Sequence, residues 1–158
     1  MEAGFLLSWT DFFYEMIEEF TACKLAYILD GKLLVYLRDD FAHIPFPSMW
    51  DFPGGVREGD ETSEQCVLRE LEEEFSIKLE ESRLIYKAKG INYNNTGDSL
   101  FFVAEGKTEE IDAIVFSDEG QYWQLMDIAE FLKHPMAIGR LKSRLQDFLN
   151  HSVIWIMN

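Results

Sequence analysis

Three glutamates near the middle of the chain have the spacing of a metal-binding cluster. Glu70, Glu73 and Glu74 occupy positions i, i+3 and i+4, so a helix would project them from one neighbouring sector of its surface. Carboxylates gathered this closely repel one another unless a cation lies between them, and hard oxygen ligands of this kind suit Mg²⁺ or Mn²⁺. Taken alone, the same pattern also describes a solvated acidic helix face.

The flanking residues favour a metal site over a plain acidic face. A turn of two glycines, Gly54 and Gly55, precedes the segment, and Glu61 and Arg69 add a pair of opposite charges. A purely structural helix has no need to place three carboxylates beside a glycine turn. We therefore interpret the cluster as a binding site for a divalent cation.

A helix is predicted to carry these carboxylates. Thr62 followed by Gln65 matches a capping box, so the helix should begin after Thr62 and end near Phe75. Apolar side chains at helical spacing would face the core, namely Val67, Leu68, Leu71 and Phe75.

The segment resembles the Nudix box of the Nudix hydrolases, and the residues from Trp50 to Gly55 resemble the entry to that box in the MutT-like branch. The family pattern is Gly, five residues, Glu, seven residues, Arg-Glu-apolar-any-Glu-Glu-any-Gly-apolar. This chain matches the pattern at Gly55, Glu61, Arg69, Glu70, Leu71, Glu73, Glu74 and Ile77. The resemblance covers roughly residues 20–150.

Ser76 is the one departure at a fixed position of the box, because the family has glycine there. The residue after a helix commonly adopts the left-handed conformation, in which a side chain costs about 1 kcal/mol relative to glycine. We expect Ser76 to accept that strain. The alternative is a rearranged helix end that the Ser76 hydroxyl holds in place.

The resemblance implies a set of metal ligands. They would be the carbonyl of Gly54 and the carboxylates of Glu70, Glu73, Glu74 and Glu119. The expected cofactor is Mg²⁺, with Mn²⁺ as a substitute.

The resemblance also implies the catalytic residues Glu61, Arg69, Glu73 and Glu119. In the family, the ion pair that Glu61 and Arg69 match orients the metal ligands. Glu119 lies in a segment similar to the loop that often supplies a further ligand or general base. Asp118 competes with Glu119 for that role, and an ordinary acidic turn is the alternative.

Three residues are candidates for substrate binding. By the resemblance, Phe52 would line a base pocket and Arg38 would lie near the nucleotide. Core packing for Phe52, and an ion pair between Arg38 and Asp39 or Asp40, are the alternatives. Tyr93 lies about where dinucleoside-polyphosphate hydrolases place a tyrosine that stacks on the substrate.

The activity that the resemblance implies is divalent-metal-dependent hydrolysis of a diphosphate linkage in a nucleoside diphosphate derivative. A nucleoside triphosphate is the first candidate substrate, and a dinucleoside polyphosphate is the second. The asparagine with which the MutT-like branch reads an oxidised guanine has no counterpart in the Lys133-His134-Pro135 segment, which argues against oxidised dGTP in particular. A non-catalytic Nudix-fold module that binds nucleotides is the alternative from another class.

Composition narrows the class of partner. The chain has 158 residues, a net charge of −15 and a pI near 4.5, which argues against a nucleic-acid backbone as a partner. Cys23 and Cys66 are too few for a disulfide framework and fit a reducing compartment. No stretch reaches membrane-spanning length and no signal peptide is recognisable, so we expect a cytoplasmic protein without a membrane partner.

Strand and helix patterns predict an α/β fold. Strands are expected at residues 22–29, 33–38, 83–89, 99–104 and 121–125, with a hairpin turn at Asp30-Gly31. A short helix is expected at residues 128–133, and Pro135 is expected in the first turn of a final helix.

The Nudix resemblance turns these elements into an α/β/α sandwich with a mixed sheet between helices. Residues 21–158 are expected to form a single domain. Residues 1–20 are expected to form an N-terminal extension, either a helix that packs on the domain or a contact between two copies in a homodimer.

Overall fold

The computed structural model describes the backbone of residues 18–157 and the side chains of residues 18–151. Most of the predicted N-terminal extension, residues 1–17, lies outside the described residues. Residues 18–20 form no regular element and lead into the first strand. The helices of the described part include none that is long and apolar enough to cross a membrane.

The described residues form a mixed seven-stranded sheet. Its main path is β3-β2-β1-β6-β5, while β4 pairs with β1 and β7 pairs with β2. The β1 and β6 strands run parallel, and the other pairs are antiparallel. The strands are β1 (Ala22–Leu29), β2 (Lys32–Leu37), β3 (Trp50–Asp51), β4 (Gly54–Val56), β5 (Leu84–Ile91), β6 (Asp98–Glu105) and β7 (Tyr122–Asp127).

Helices cover both faces of this sheet. They are α1 (Ser63–Phe75), α2 (Thr108–Asp112), α3 (Ile128–Lys133) and α4 (Gly139–Met157), with a 3-10 turn at Glu81–Arg83. One buried cluster contains Val67, Leu71 and Phe75 of α1. A second cluster contains Phe131 of α3 and Leu141 and Leu145 of α4. The predicted α/β/α sandwich is thus confirmed, with α1 on one face and α3 and α4 on the other.

The β1–β2 hairpin is confirmed, and it helps to place the site. Asp30 and Gly31 have φ angles of +50° and +75°, as the two central residues of a tight hairpin turn require. The other end of β1 pairs with β4, where Lys24 lies opposite Gly54. The central strand therefore fixes the position of the glycine turn.

The expectation that Pro135 lies in the first turn of the final helix is wrong, because α4 begins only at Gly139. Before the helix starts, the chain runs along the edge of β3. The N–H of Trp50 donates to the carbonyl of Met136 at 2.8 Å, and the N–H of Ile138 donates to the carbonyl of Trp50 at 3.2 Å. These two bonds keep residues 136–138 out of the helix.

Candidate active site

A capping box fixes the start of α1. The Thr62 hydroxyl accepts a hydrogen bond from the N–H of Gln65 at 3.1 Å, and the Gln65 side-chain oxygen accepts one from the N–H of Thr62 at 2.9 Å. Two N–H groups of the helix start are satisfied in this way. The helix consequently begins at Ser63, as the sequence predicts. This start fixes the side of the helix from which its three glutamates project.

The glycine turn lies directly against two of these glutamates. The N–H of Gly54 donates to Oε1 of Glu74 at 2.8 Å. A Cβ atom on Gly55 would lie 2.5 Å from Oε1 of Glu70, so any side chain there would push the Glu70 carboxylate out of its observed position. Gly54 has φ +142°, and a Cβ there would lie 2.1 Å from the carbonyl oxygen of Cys23. Gly54 thus requires glycine because of its positive φ and the close approach of the β1 backbone, whereas a side chain at Gly55 would displace the Glu70 carboxylate.

Arg69 joins the carboxylates into one network. Its Nε and NH2 atoms lie 3.0 and 2.8 Å from the two carboxylate oxygens of Glu61. Its NH1 atom lies 3.1 Å from Oε1 of Glu70 and 3.1 Å from Oε2 of Glu73. The sequence predicted an ion pair between Glu61 and Arg69, and the structure shows that the same guanidinium also holds Glu70 and Glu73.

The Glu61–Arg69 contact is bidentate, and this geometry favours the charged forms. Hydrogen bonds from Arg69 lower the pKa of Glu61 to about 2. The hydrogen bonds to Glu61 raise the pKa of Arg69 in turn. This pair therefore stays ionised across the physiological pH range.

The two glutamates at the glycine turn behave in the opposite way. Glu74 is 4% exposed, and burial raises its pKa to about 8, although Lys24 and the N–H of Gly54 act to lower it. Burial also raises the pKa of Glu70, against the effect of Arg69 and with the help of the charges on Glu73 and Glu119. Ionisation of these two carboxyl groups therefore costs free energy, and a bound cation would offset that cost.

Glu119 lies in the loop between α2 and β7, which is tied to the end of α1. The N–H of Ser117 donates to the carbonyl of Glu74 at 2.9 Å, and the N–H of Val115 donates to that of Phe75 at 3.3 Å. Glu119 itself is exposed, and its charge acts on Glu70. The loop therefore presents Glu119 on the same side of the molecule as the helix carboxylates.

The donor set fits a divalent cation by its chemistry. Glu74 offers a buried carboxylate and Glu70 a half-buried one, both beside a backbone turn, and carboxylate oxygens are the ligands that hard cations prefer. Among the described residues, no group of three carboxylate, histidine or cysteine side chains converges into a finished cage. Glu73 is 56% exposed and bound to Arg69, so it would have to turn to become a ligand of the same ion as Glu70 and Glu74.

A buried carboxylate that the sequence reasoning missed lies at the entry to the glycine turn. Oδ2 of Asp51 accepts hydrogen bonds from Lys24, Tyr36 and Arg38, at 2.8, 3.1 and 2.9 Å. Its Oδ1 accepts one from the N–H of Phe52 at 2.7 Å. Asp51 is 1% exposed. Lys24 was the available signal, as the only charged residue of strand β1.

Two of the three substrate-binding candidates are engaged in other contacts. Arg38 pairs with Asp51 rather than with Asp39 or Asp40, and its Nε donates to the carbonyl of Pro45 at 2.8 Å. Phe52 is fully buried, and its ring stacks on that of Phe131 with centroids 4.7 Å apart. This packing agrees with a core role, which is one of the two alternatives for Phe52.

Tyr93 is the candidate that remains available to a ligand. It is 55% exposed in the loop between β5 and β6. Its ring and that of Phe46 pack in an edge-to-face arrangement with centroids 5.7 Å apart. His134 is less free, because its Nδ1 accepts a hydrogen bond from the N–H of Met136 at 3.0 Å.

Known proteins share both the sequence pattern and the fold. Over 61 residues the chain is 41% identical to a protein from Proteus vulgaris named 8-oxo-dGTP diphosphatase. That alignment covers 38% of this chain and 54% of the relative, so the match spans about half the length of that protein.

Two solved structures resemble almost the whole domain. A MutT protein from Methanosarcina mazei Go1 superposes with a TM-score of 0.64 at 16% identity, over 84% of this chain and 94% of that one. A C. elegans Ap4A hydrolase superposes with a TM-score of 0.64 at 19% identity, over 84% and 98%. At these identities the likeness establishes the fold. The model of the NUDIX domain matches residues 23–146, and the chain therefore belongs to the Nudix family.

Proposed function

We propose that the protein hydrolyses a diphosphate linkage in a nucleoside diphosphate derivative and requires a divalent cation to do so. The observation that carries this proposal is the pair of carboxylates at the glycine turn. Glu74 is buried and Glu70 is half-buried, and the pKa of each is raised. Glu74 accepts a hydrogen bond from the N–H of Gly54, and the Glu70 carboxylate lies against Gly55. A site that held no cation would gain nothing from this electrostatic cost.

Each residue of the site would have a distinct part in the reaction. Glu70, Glu73 and Glu74, with the carbonyl of Gly54, would hold Mg²⁺ or Mn²⁺. When bound, such an ion supplies positive charge to the phosphoryl oxygens and makes a water molecule more acidic. Glu119 would accept the proton of the attacking water, because it is an exposed carboxylate on the loop beside the helix.

Arg69 is a positioning residue in this scheme. Its guanidinium is bound to Glu61 through two hydrogen bonds and to Glu70 and Glu73 through one each. A planar, permanently charged group of this kind fixes the orientation of several carboxylates at once. Glu61 serves the site by holding Arg69 rather than by touching the substrate.

A nucleoside triphosphate is the first candidate substrate. The name of the Proteus vulgaris relative, 8-oxo-dGTP diphosphatase, supports this class. A dinucleoside polyphosphate is the second candidate, and exposed Tyr93 supports it, since an exposed ring next to Phe46 suits stacking on a second base. The name of the C. elegans structure supports the same class.

The test is a substrate panel with product identification. Nucleoside triphosphates, 8-oxo-dGTP and diadenosine tetraphosphate would be incubated with the full-length protein in Mg²⁺, in Mn²⁺ and in EDTA. Mass spectrometry of products formed in ¹⁸O-labelled water would show which phosphorus atom the water attacks. We expect cleavage of at least one substrate with either metal ion and none in EDTA.

A matched pair of variants makes this test specific. Glu73→Gln removes a proposed ligand, whereas Glu72→Gln changes the neighbouring exposed glutamate, which lies at an unrestricted position of the box. Activity should be lost in the first variant and kept in the second. Saturable nucleotide binding without cleavage of any substrate would instead support the non-catalytic module.

A further inference from the structure

A cavity of about 360 Å³ lies on the face of the sheet opposite to α1. Strands β5 and β6 and helix α4 form its walls, and it is open to solvent. Its lining includes Tyr86, Gly90, Phe101, Arg140 and Arg144. The volume is at the small end of the range of ligand sites in proteins. The carboxylate cluster lines no part of it, so the proposed active site does not explain this cavity.

Two arginines dominate the charge of the cavity. Arg140 and Arg144 lie one turn apart on α4 and both line it. Among the described residues, no carboxylate lies within 4 Å of either guanidinium, although Asp147 also lines the cavity. Two uncompensated cations are unusual in a chain of net charge −15, because a negative protein offers many carboxylates as partners.

The protein contacts of these arginines are neutral oxygen atoms. Arg144 donates to the Ser99 hydroxyl at 2.7 Å and, at 3.5 Å each, to the carbonyls of Ser99 and Ile91. Its guanidinium lies where a Cβ on Gly90 would be. Arg140 donates to the carbonyl of Ile91. A guanidinium carries five N–H donors, so each arginine keeps further donors for a ligand.

The electrostatic state of Arg144 favours the binding of an anion. Burial lowers its pKa, and the positive charge of Arg140 lowers it further. Lys89 is a third cation at the rim, but it pairs with Asp98 at 3.2 Å. An anion between Arg140 and Arg144 would offset the repulsion between them and use their free donors.

We propose that this cavity binds the phosphate group of a phosphomonoester between Arg140 and Arg144. The paired guanidinium groups match the geometry of a phosphate, which accepts several charge-assisted hydrogen bonds. The aromatic rings of Tyr86 and Phe101 give the cavity an apolar wall, which suits the organic part of such a ligand. The site does not depend on the hydrolysis proposed above.

Binding can be measured without any divalent metal. Isothermal titration of the full-length protein in EDTA, at constant ionic strength, would use inorganic phosphate, AMP and adenosine as ligands. EDTA removes the cations through which the carboxylate cluster would bind phosphate. We expect saturable binding of phosphate and AMP, and no binding of adenosine at the same concentrations.

Variants that each replace one positively charged side chain test whether the ligand binds in this cavity. Arg140→Gln and Arg144→Gln should each weaken binding about tenfold or more, as expected when a charge-assisted hydrogen bond to an anion is lost. Lys32→Gln is the control, because it removes the charge of an exposed lysine at the β1–β2 hairpin. If Arg144→Gln does not fold, exposed Arg140 still provides the test.

The outcomes distinguish a site for free phosphate from a site for an organic phosphomonoester. Tighter binding of AMP than of phosphate would show that the cavity also contacts the organic part, and equal binding would show that it reads the phosphate alone. The proposal is overturned if neither ligand binds saturably, if adenosine binds as well as AMP, or if Lys32→Gln weakens binding as much as the arginine variants do.

Discussion

Ser76 ends α1 in the left-handed conformation, with φ 58° and ψ 29°. Its N–H donates to the carbonyl of Glu72 at 2.9 Å, which closes the last turn. The position is therefore the one at which the Nudix pattern has glycine, and the expectation of a left-handed Ser76 is confirmed. Replacing it with glycine removes a steric cost of about 1–2 kcal/mol.

Two effects oppose that gain. Glycine loses more conformational entropy on folding, which costs about 0.5–1 kcal/mol. The Ser76 hydroxyl also donates to the carbonyl of Val115 at 3.2 Å, and such a hydrogen bond contributes about 0.5–1.5 kcal/mol, less where water competes. Ser76→Gly should consequently change the free energy of unfolding by less than about 1 kcal/mol.

The variant Ser76→Ala separates the steric cost of the left-handed backbone from the contribution of the hydroxyl. Ser76→Ala loses the hydroxyl but keeps the strained backbone, so it should be less stable than both the wild type and Ser76→Gly. The difference between the glycine and alanine variants should be about 0.5–1 kcal/mol, which corresponds to roughly 1–4 °C in melting temperature for a domain of this size.

Thermal and urea unfolding in EDTA would measure the order of stability of the wild type and the two Ser76 variants. Activity should be nearly unchanged in both variants, because two backbone hydrogen bonds still attach the Glu119 loop to the end of α1. A glycine variant that is no more stable than the alanine variant would refute the reasoning, since it would mean that the left-handed backbone carries no strain.

Three further outcomes are expected. Glu73→Gln should reduce turnover by several orders of magnitude and leave the fold intact by circular dichroism, because the amide keeps the shape but loses the ligand charge; wild-type rates would exclude the mechanism. Glu119→Gln should lower kcat more than it raises KM, since a base acts mainly in the transition state, and a neutral Glu119→Gln beside an inactive Asp118→Asn would move the role to Asp118. In urea unfolding, the stability that Glu61 contributes should be complete above its unfolded pKa of about 4.5 and decline as the pH falls toward its folded pKa of about 2; Glu61→Gln should flatten that decline, and parallel curves for the two proteins would contradict the Arg69 contact.

The features that the sequence predicted well are local ones. The capping box, the β1–β2 turn and the conformation of Ser76 each depend on residues a few positions apart. The register of Glu70 and Glu74 against the glycine turn is not local, yet it followed from the spacing of the Nudix box. A motif of that length encodes a tertiary contact, which composition and periodicity do not.

The features that could not be predicted from the sequence depend on contacts between distant segments. Pro135 has the local chemistry of a helix start, but the pairing of residues 136–138 with Trp50 delays the helix. Arg38 has two acidic neighbours in sequence, yet β2 and β3 pair so that Asp51 becomes its partner. Short strands such as β3 and β4 carry too few residues for any periodic signal.

The charge around Asp51 bears on how an acidic protein tolerates a buried Glu74. Lys24 and Arg38 both contact the single carboxylate of Asp51, so this cluster keeps one net positive charge at the base of the glycine turn. Lys24 acts on Glu74 to lower its pKa, whereas Glu70 and Asp51 act to raise it. The fold thus supplies only part of the positive charge that would stabilise ionised Glu74, and its pKa stays raised. This remaining cost of ionisation is the electrostatic reason to expect a cation at Glu70 and Glu74, and it does not depend on the family to which the chain belongs.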